Sequence, residues 1–190
     1  MNNDKQTLQQ LKRAVMLQRL QQSQGVRKAE LARNAILPVD RSQPLALSYA
    51  QQRLWFLDQF DHAAGAAYHM PAAMRLTGQL DKAVLKRVLD RIVTRHESLR
   101  TTFAGADGQP LQQIGAADVG MVIGESDLRH LPDGEREQTM QRLSDEEAVQ
   151  PFDLAAGPLI RGQLLRLAED EHVLLITQHH IISDGWSVGV

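Results

Sequence analysis

The stretch "LIRGQLLRLAEDEHVLLITQHH", residues 159–180, constrains the fold more than any other. Two apolar runs, 159–167 and 172–180, are separated only by the charged segment "AEDE". Each has the length and the Leu, Ile and Val content of a strand, and a connection this short makes them antiparallel neighbours. The second run is apolar at consecutive positions, "VLLI" at 173–176, so it reads as a buried strand.

That strand delivers two adjacent histidines to its end, followed by "IISDGWSVGV". Consecutive side chains on a strand point to opposite faces, so His179 and His180 cannot easily share one metal ion. No carboxylate-rich partner motif lies nearby, and metal binding is not expected. On pattern alone the pair has two readings. One is a satisfied core histidine beside a surface histidine. The other is a proton-transfer site, because loops held at strand ends often carry catalytic groups and an imidazole titrates near neutrality. "SDG" turns the chain sharply, with Gly185 free to take a positive φ. Asp184 can orient a histidine directly, or pair with Arg95 or Arg100 of "RHESLR" to fix the loop. Ser183 and Ser187 read as turn and cap residues. No Gly-x-Ser-x-Gly elbow supports a serine hydrolase, and "AGADGQ" does not match a phosphate loop.

Upstream, residues 5–24 carry a Leu-containing helical stripe with Gly25 as C-cap, and a second short helix is expected at 26–33. This N-terminal segment, 1–33, either packs on its own domain or docks another chain. Residues 34–46 hold two prolines and read as a linker. Ser48 caps a helix to about Phe60, with its aromatic residues expected in the core. A strand follows at 68–78, which Pro71 confines to a sheet edge or to an early position in the strand. Asp81 caps the clearest helix, with Val84, Leu85, Val88, Leu89, Ile92 and Val93 at helical spacing. Short strands at 111–115 and 119–124, a helix from Pro132 to about Val149 and a loop at 151–158 complete the order. Helices and strands mix without βαβ repetition, which argues α+β.

The chain has 190 residues, 43% of them apolar, enough for a core. A net charge of −2 gives no electrostatic case for nucleic acid or an anionic membrane, and neither is an expected partner. No cysteine is present, which excludes disulfides and thiolate catalysis and accords with a cytoplasmic location. The N-terminus lacks the apolar core of a signal peptide.

Three stretches, "LSYAQQRLWFLDQ" (47–59), "RHESLRTTF" (95–103) and "HHIISDGWS" (179–187), resemble in order and spacing the first three core motifs of nonribosomal peptide synthetase condensation domains. The resemblance runs from about residue 37 to 190. It implies the N-terminal lobe of a chloramphenicol-acetyltransferase-like fold, a mixed sheet with flanking helices, spanning 47–190. The later family motifs are missing, so the C-terminal lobe is expected elsewhere in a longer synthetase and this lobe alone is expected to be inactive. An apolar patch is expected at 175–190, where the second lobe would sit. The implied activity is amide formation in secondary-metabolite peptide synthesis. A carrier-bound acyl or peptidyl thioester passes to the amine of an acceptor aminoacyl thioester. The implied partners are the upstream donor and downstream acceptor carrier proteins, and the chain that residues 1–33 would dock is an upstream synthetase subunit. Their phosphopantetheine arms act as substrates, and no cofactor is bound directly.

By the same resemblance His180 is the catalytic histidine, His179 its more structural neighbour and Asp184 the loop-shaping aspartate. Arg95, then Arg100, is the expected salt-bridge partner of Asp184. Ser183, Gly185 and Trp186 line the active-site tunnel that the resemblance implies between the two lobes, with Gly185 leaving room for the pantetheine arm. Arg53 and Trp55 of the first motif read as packing residues. A lipid-accepting starter domain is an alternative within the family. A free-standing coenzyme A-dependent acyltransferase is disfavoured by the first two motifs.

Overall fold

The computed structural model describes residues 38–189 apart from 42, 44, 61–63 and 107. By its contacts the chain divides into two units, Met1–Asp40 and Arg41–Val190. The helices expected within 1–33 lie outside the described residues.

In the second unit the order is β1 (Leu45–Ala46), α1 (Tyr49–Phe60), β2 (His69–Thr77), α2 (Lys82–Arg95), β3 (Thr101–Ala106), β4 (Gln109–Ile114), β5 (Val122–Asp127), α3 (Asp133–Val149), β6 (Ile160–Ala168) and β7 (Glu171–His179). Short 3-10 turns at Ala64–Tyr68, Glu97–Arg100 and Ser187–Gly189 link them. The expected hairpin is β6–β7, antiparallel, and it forms the centre of a four-stranded sheet ordered β2-β7-β6-β5. Strand β2 is an edge with Pro71 near its start, so both placements open to Pro71 are met, and it pairs antiparallel with β7 from His69↔His179 to Thr77↔Glu171. Strand β5 begins later than the expected 119–124 and runs parallel to β6. Strands β1, β4 and β3 form a second, antiparallel sheet. The end of the expected linker is therefore part of the fold, because Leu45 and Ala46 pair with Gln112 and Leu111.

The consecutive apolar residues of β7 have a simple cause. Leu174 and Ile176 face one core with Leu89 and Val93 of α2, whereas Val173 and Leu175 face another with Met140 and Leu143 of α3. A strand covered on both faces needs no polar alternation. Helix α2 starts where Asp81 Oδ1 accepts the Val84 N–H at 2.9 Å. Its apolar stripe divides: Leu85, Leu89 and Val93 pack inward, while Val84, Val88 and Ile92 stay exposed.

Helix α1 begins with a reciprocal cap. Ser48 Oγ accepts the Gln51 N–H at 3.3 Å, and Gln51 Oε1 accepts the Ser48 N–H at 2.9 Å. Its aromatic residues do not all enter the core. Trp55 packs there against Gly105, but Tyr49 is 91% and Phe60 83% exposed, and Phe56 is exposed beside Phe60. Arg53, expected to pack, is exposed too. The helix therefore buries a narrower face than its composition suggests. The 151–158 loop carries one required glycine: Gly157 has φ +60°, and a Cβ there would lie 2.7 Å from Thr102 Cγ2.

Candidate active site

Strand β7 ends at His179, and a tight turn closes with the Ile182 N–H donating to His179 O at 3.1 Å. Ile181 and Ile182 enter the core, anchoring the turn. Strand alternation separates the two histidines as the sequence predicts. His179 is 1% exposed, whereas His180 is exposed. The His180 N–H donates to Tyr68 O at 2.8 Å, so the start of β2 holds the end of β7.

The His180 ring is set by one contact. Its Nδ1 lies 2.7 Å from Ser183 O. A carbonyl only accepts, so Nδ1 carries the proton and the neutral ring keeps its lone pair on Nε2. His179 has the opposite arrangement: its Nδ1 accepts the Ile181 N–H at 3.1 Å. Burial, then the neighbouring His69 and His180, push the His179 pKa down to about 4, so it is neutral at pH 7. Around it, the Phe152 ring meets His69 edge-on at 5.0 Å and His179 at 6.2 Å. The Arg161 guanidinium lies 3.9 Å over the Phe152 centroid and donates through Nε to Glu147 Oε1 at 2.7 Å.

Asp184 Oδ1 accepts from the Ser187 N–H at 2.7 Å and from Ser187 Oγ at 2.6 Å. Those hydrogen bonds hold its carboxyl below the usual carboxylate range. This corrects the expected salt bridge: among the described residues no ion pair joins Asp184 to Arg95 or Arg100. Arg95 is exposed at the end of α2. Arg100 donates to Gly115 O and pairs with Glu97 at 3.8 Å. The short Asp184–Ser187 turn satisfies the carboxylate locally, and Arg100 is committed to joining the 3-10 turn to β4.

Gly185 lies outside the left-handed region, and a Cβ there would meet nothing within 4 Å. Neither the turn nor packing within the described residues requires a glycine at this position. Trp186 is 89% exposed, and Ser183 contributes its carbonyl rather than its hydroxyl. The apolar patch expected at 175–190 is reduced, among the described side chains, to the Trp186 indole, because Leu175, Ile181 and Ile182 are buried.

Gln51 was not marked by the sequence as a site residue. Its Nε2 donates to Ile181 O at 3.3 Å, so the first motif tethers the turn that bears His180. The second motif is a brace: Thr101 Oγ1 donates to Glu97 O at 2.8 Å and the Phe103 N–H donates to Leu154 O at 2.7 Å. A polar residue at the start of an amphipathic helix looks like any cap, and only the tertiary fold brings it to residue 181.

A two-faced mixed sheet with flanking helices and a strand-end histidine pair defines the N-terminal lobe of a chloramphenicol-acetyltransferase-like fold. The pattern of the condensation domain matches residues 41–190, and the chain belongs to that family. It is 48% identical over 157 residues to malpibaldin synthetase of Mortierella alpina, covering 83% of this chain and 3% of that protein. It is 47% identical over 153 residues to chondramide synthase of Chondromyces crocatus, covering 80% of this chain and 4% of that protein. Among solved structures, the starter condensation domain of rhizomide synthetase superposes with a TM-score of 0.68 at 26% identity, over 76% of this chain and 34% of that one. The X-domain from teicoplanin biosynthesis gives 0.64 at 33% identity, over 77% and 30%. The chain thus spans about 3–4% of the length of these synthetases and about a third of the solved domains.

Proposed function

We propose that this lobe supplies the catalytic histidine for amide formation between two carrier-bound thioesters. The carrying observation is the His180 ring, exposed at a strand end with Nδ1–H held by Ser183 O and the Nε2 lone pair free to face a substrate. The acceptor α-amine has an ordinary pKa of about 7.7–8.0, so a fraction is neutral at pH 7. Attack of that nitrogen on the donor thioester carbonyl gives a tetrahedral intermediate with a charged nitrogen. His180 Nε2 takes one proton from it, the C–S bond breaks, and the thiolate of the donor arm leaves with the proton. Neutral Nε2 equally holds the amine in line for attack, and proximity of the two thioesters supplies much of the rate.

Asp184 and Ser187 shape the loop in this reading, and His179 supports it from below. The substrates are phosphopantetheine arms of an upstream donor and a downstream acceptor carrier protein. Residues 41–190 form one wall of the site, and a second lobe completes it. The experiment is His180→Ala in a protein carrying both lobes, with loaded donor and acceptor carriers. Loss of a positioned proton acceptor lowers amide formation by about 100-fold or more. Unchanged product formation would remove His180 from the mechanism.

A further inference from the structure

Two buried ring nitrogens lie below the His180 turn without a hydrogen-bond partner among the described residues: His69 Nε2 and His179 Nε2. Their other nitrogens dictate what each must be. His69 Nδ1 lies 2.8 Å from Ala148 O, near the end of α3, and must donate. His69 Nε2 in the neutral ring is therefore an acceptor. His179 Nδ1 accepts the Ile181 N–H, so its Nε2 bears the proton and is a donor. The rings are 5.9 Å apart between centroids at 68°, and their residues are register partners across β2 and β7. One orphan donor and one orphan acceptor thus sit on neighbouring rings, too far apart for a direct bond, with Phe152 edge-on to both. A buried polar group without a partner is costly, whereas a matched pair is not.

We propose that one water bridges His179 Nε2–H to His69 Nε2, forming a buried hydrogen-bonded couple that positions His180. The couple locks β2 to β7 at the residues that set the His180 backbone, beside the His180 N–H to Tyr68 O bond. His69 is a positioning residue: it touches no substrate and acts through His179. The couple stands on the geometry alone, while its role toward catalysis rests on the function proposed above.

Long-range ¹H–¹⁵N spectra of this chain at pH 7 test it. The expected result is the Nδ1–H tautomer for His69, the Nε2–H tautomer for His179 and a protected His179 Nε2 proton. His69→Phe is expected to speed exchange of that proton about tenfold, while His69→Gln, which keeps a donor and an acceptor, preserves protection. The opposite tautomer on either ring overturns the couple, as does unchanged exchange in His69→Phe. If His69→Phe does not fold, the exchange rate of the His179 Nε2 proton in the unmodified chain decides, and rapid exchange there overturns the couple. In the two-lobed protein His69→Phe is expected to lower kcat with KM unchanged, and His69→Gln to recover it. Unaltered kcat in His69→Phe overturns the positioning role. Unaltered amide formation in His180→Ala overturns the functional reading instead and leaves the tautomers, and so the couple, standing.

Discussion

Gln51→Glu isolates the tether between the first motif and the histidine turn. The carboxylate keeps the acceptor that Gln51 offers to the Ser48 N–H at 2.9 Å. It also adds a negative charge to the first turn of α1, which has no acidic residue, worth about 0.3–1 kcal/mol. What it removes is the donor to Ile181 O at 3.3 Å, worth about 0.5–1.5 kcal/mol. The two effects offset in global stability but not locally, because the gain belongs to the helix and the loss to the turn. A local loss of about 1 kcal/mol raises the open population of the turn about fivefold. Amide hydrogen exchange reads this directly at Ile181 and Ile182, whose N–H groups donate to His179 Nδ1 and His179 O. Exchange there should rise about fivefold while the β6 amides change little. Gln51→Ala, which loses both interactions, should lower global stability by about 1–2 kcal/mol. Unchanged exchange at both isoleucines in Gln51→Glu would refute the tether, as would a uniform rise across β6 and β7.

Three further outcomes follow from the packing. Gly157→Ala places a Cβ at φ +60° and 2.7 Å from Thr102 Cγ2, and should cost about 1–2 kcal/mol for the backbone alone by denaturant melt. Adding Thr102→Ser should recover only the steric part. Arg161 and Glu147 are 13% and 10% exposed, so Arg161→Leu leaves a buried carboxylate and should cost about 3–5 kcal/mol. The double change with Glu147→Leu should cost less than the single one, and the reverse order would sink the buried-pair reading. His179 has its folded pKa pushed down to about 4 from an ordinary 6.5. The unfolded chain therefore binds its proton first, and stability present above pH 6.5 is lost as pH falls through that window toward 4. The contribution is about 3 kcal/mol, and His179→Gln should flatten the pH slope over that range. A slope equal to that of the unmodified chain would show that another group carries it; His172, also pushed down by burial, acts in the same direction.

Local signals carried the main elements. Hydrophobic spacing marked α2, Asp81 marked its start, Pro71 marked an edge strand, and the 159–180 hairpin marked the sheet centre. Strand alternation set the two histidines on opposite faces, and the structure shows His179 to be the buried one. These features depend on neighbours in the chain, which share one backbone geometry and one period.

Contacts between distant residues were decided only by the tertiary structure. The sequence cannot say that Gln51 reaches Ile181, that Tyr68 O holds His180, or that Leu45 and Ala46 belong to a sheet rather than a linker. Nor could composition tell which aromatic residues of α1 remain exposed, since that depends on how much of the helix a partner surface covers. The Asp184–arginine pair is the clearest case. Opposite charges invite pairing in sequence, but a carboxylate is satisfied by the nearest well-oriented donors, and the folded loop presents Ser187. Sequence determined that a histidine would stand at the end of a buried strand. The fold decided which nitrogen faces outward, because only folding brings the Ser183 carbonyl back to its ring.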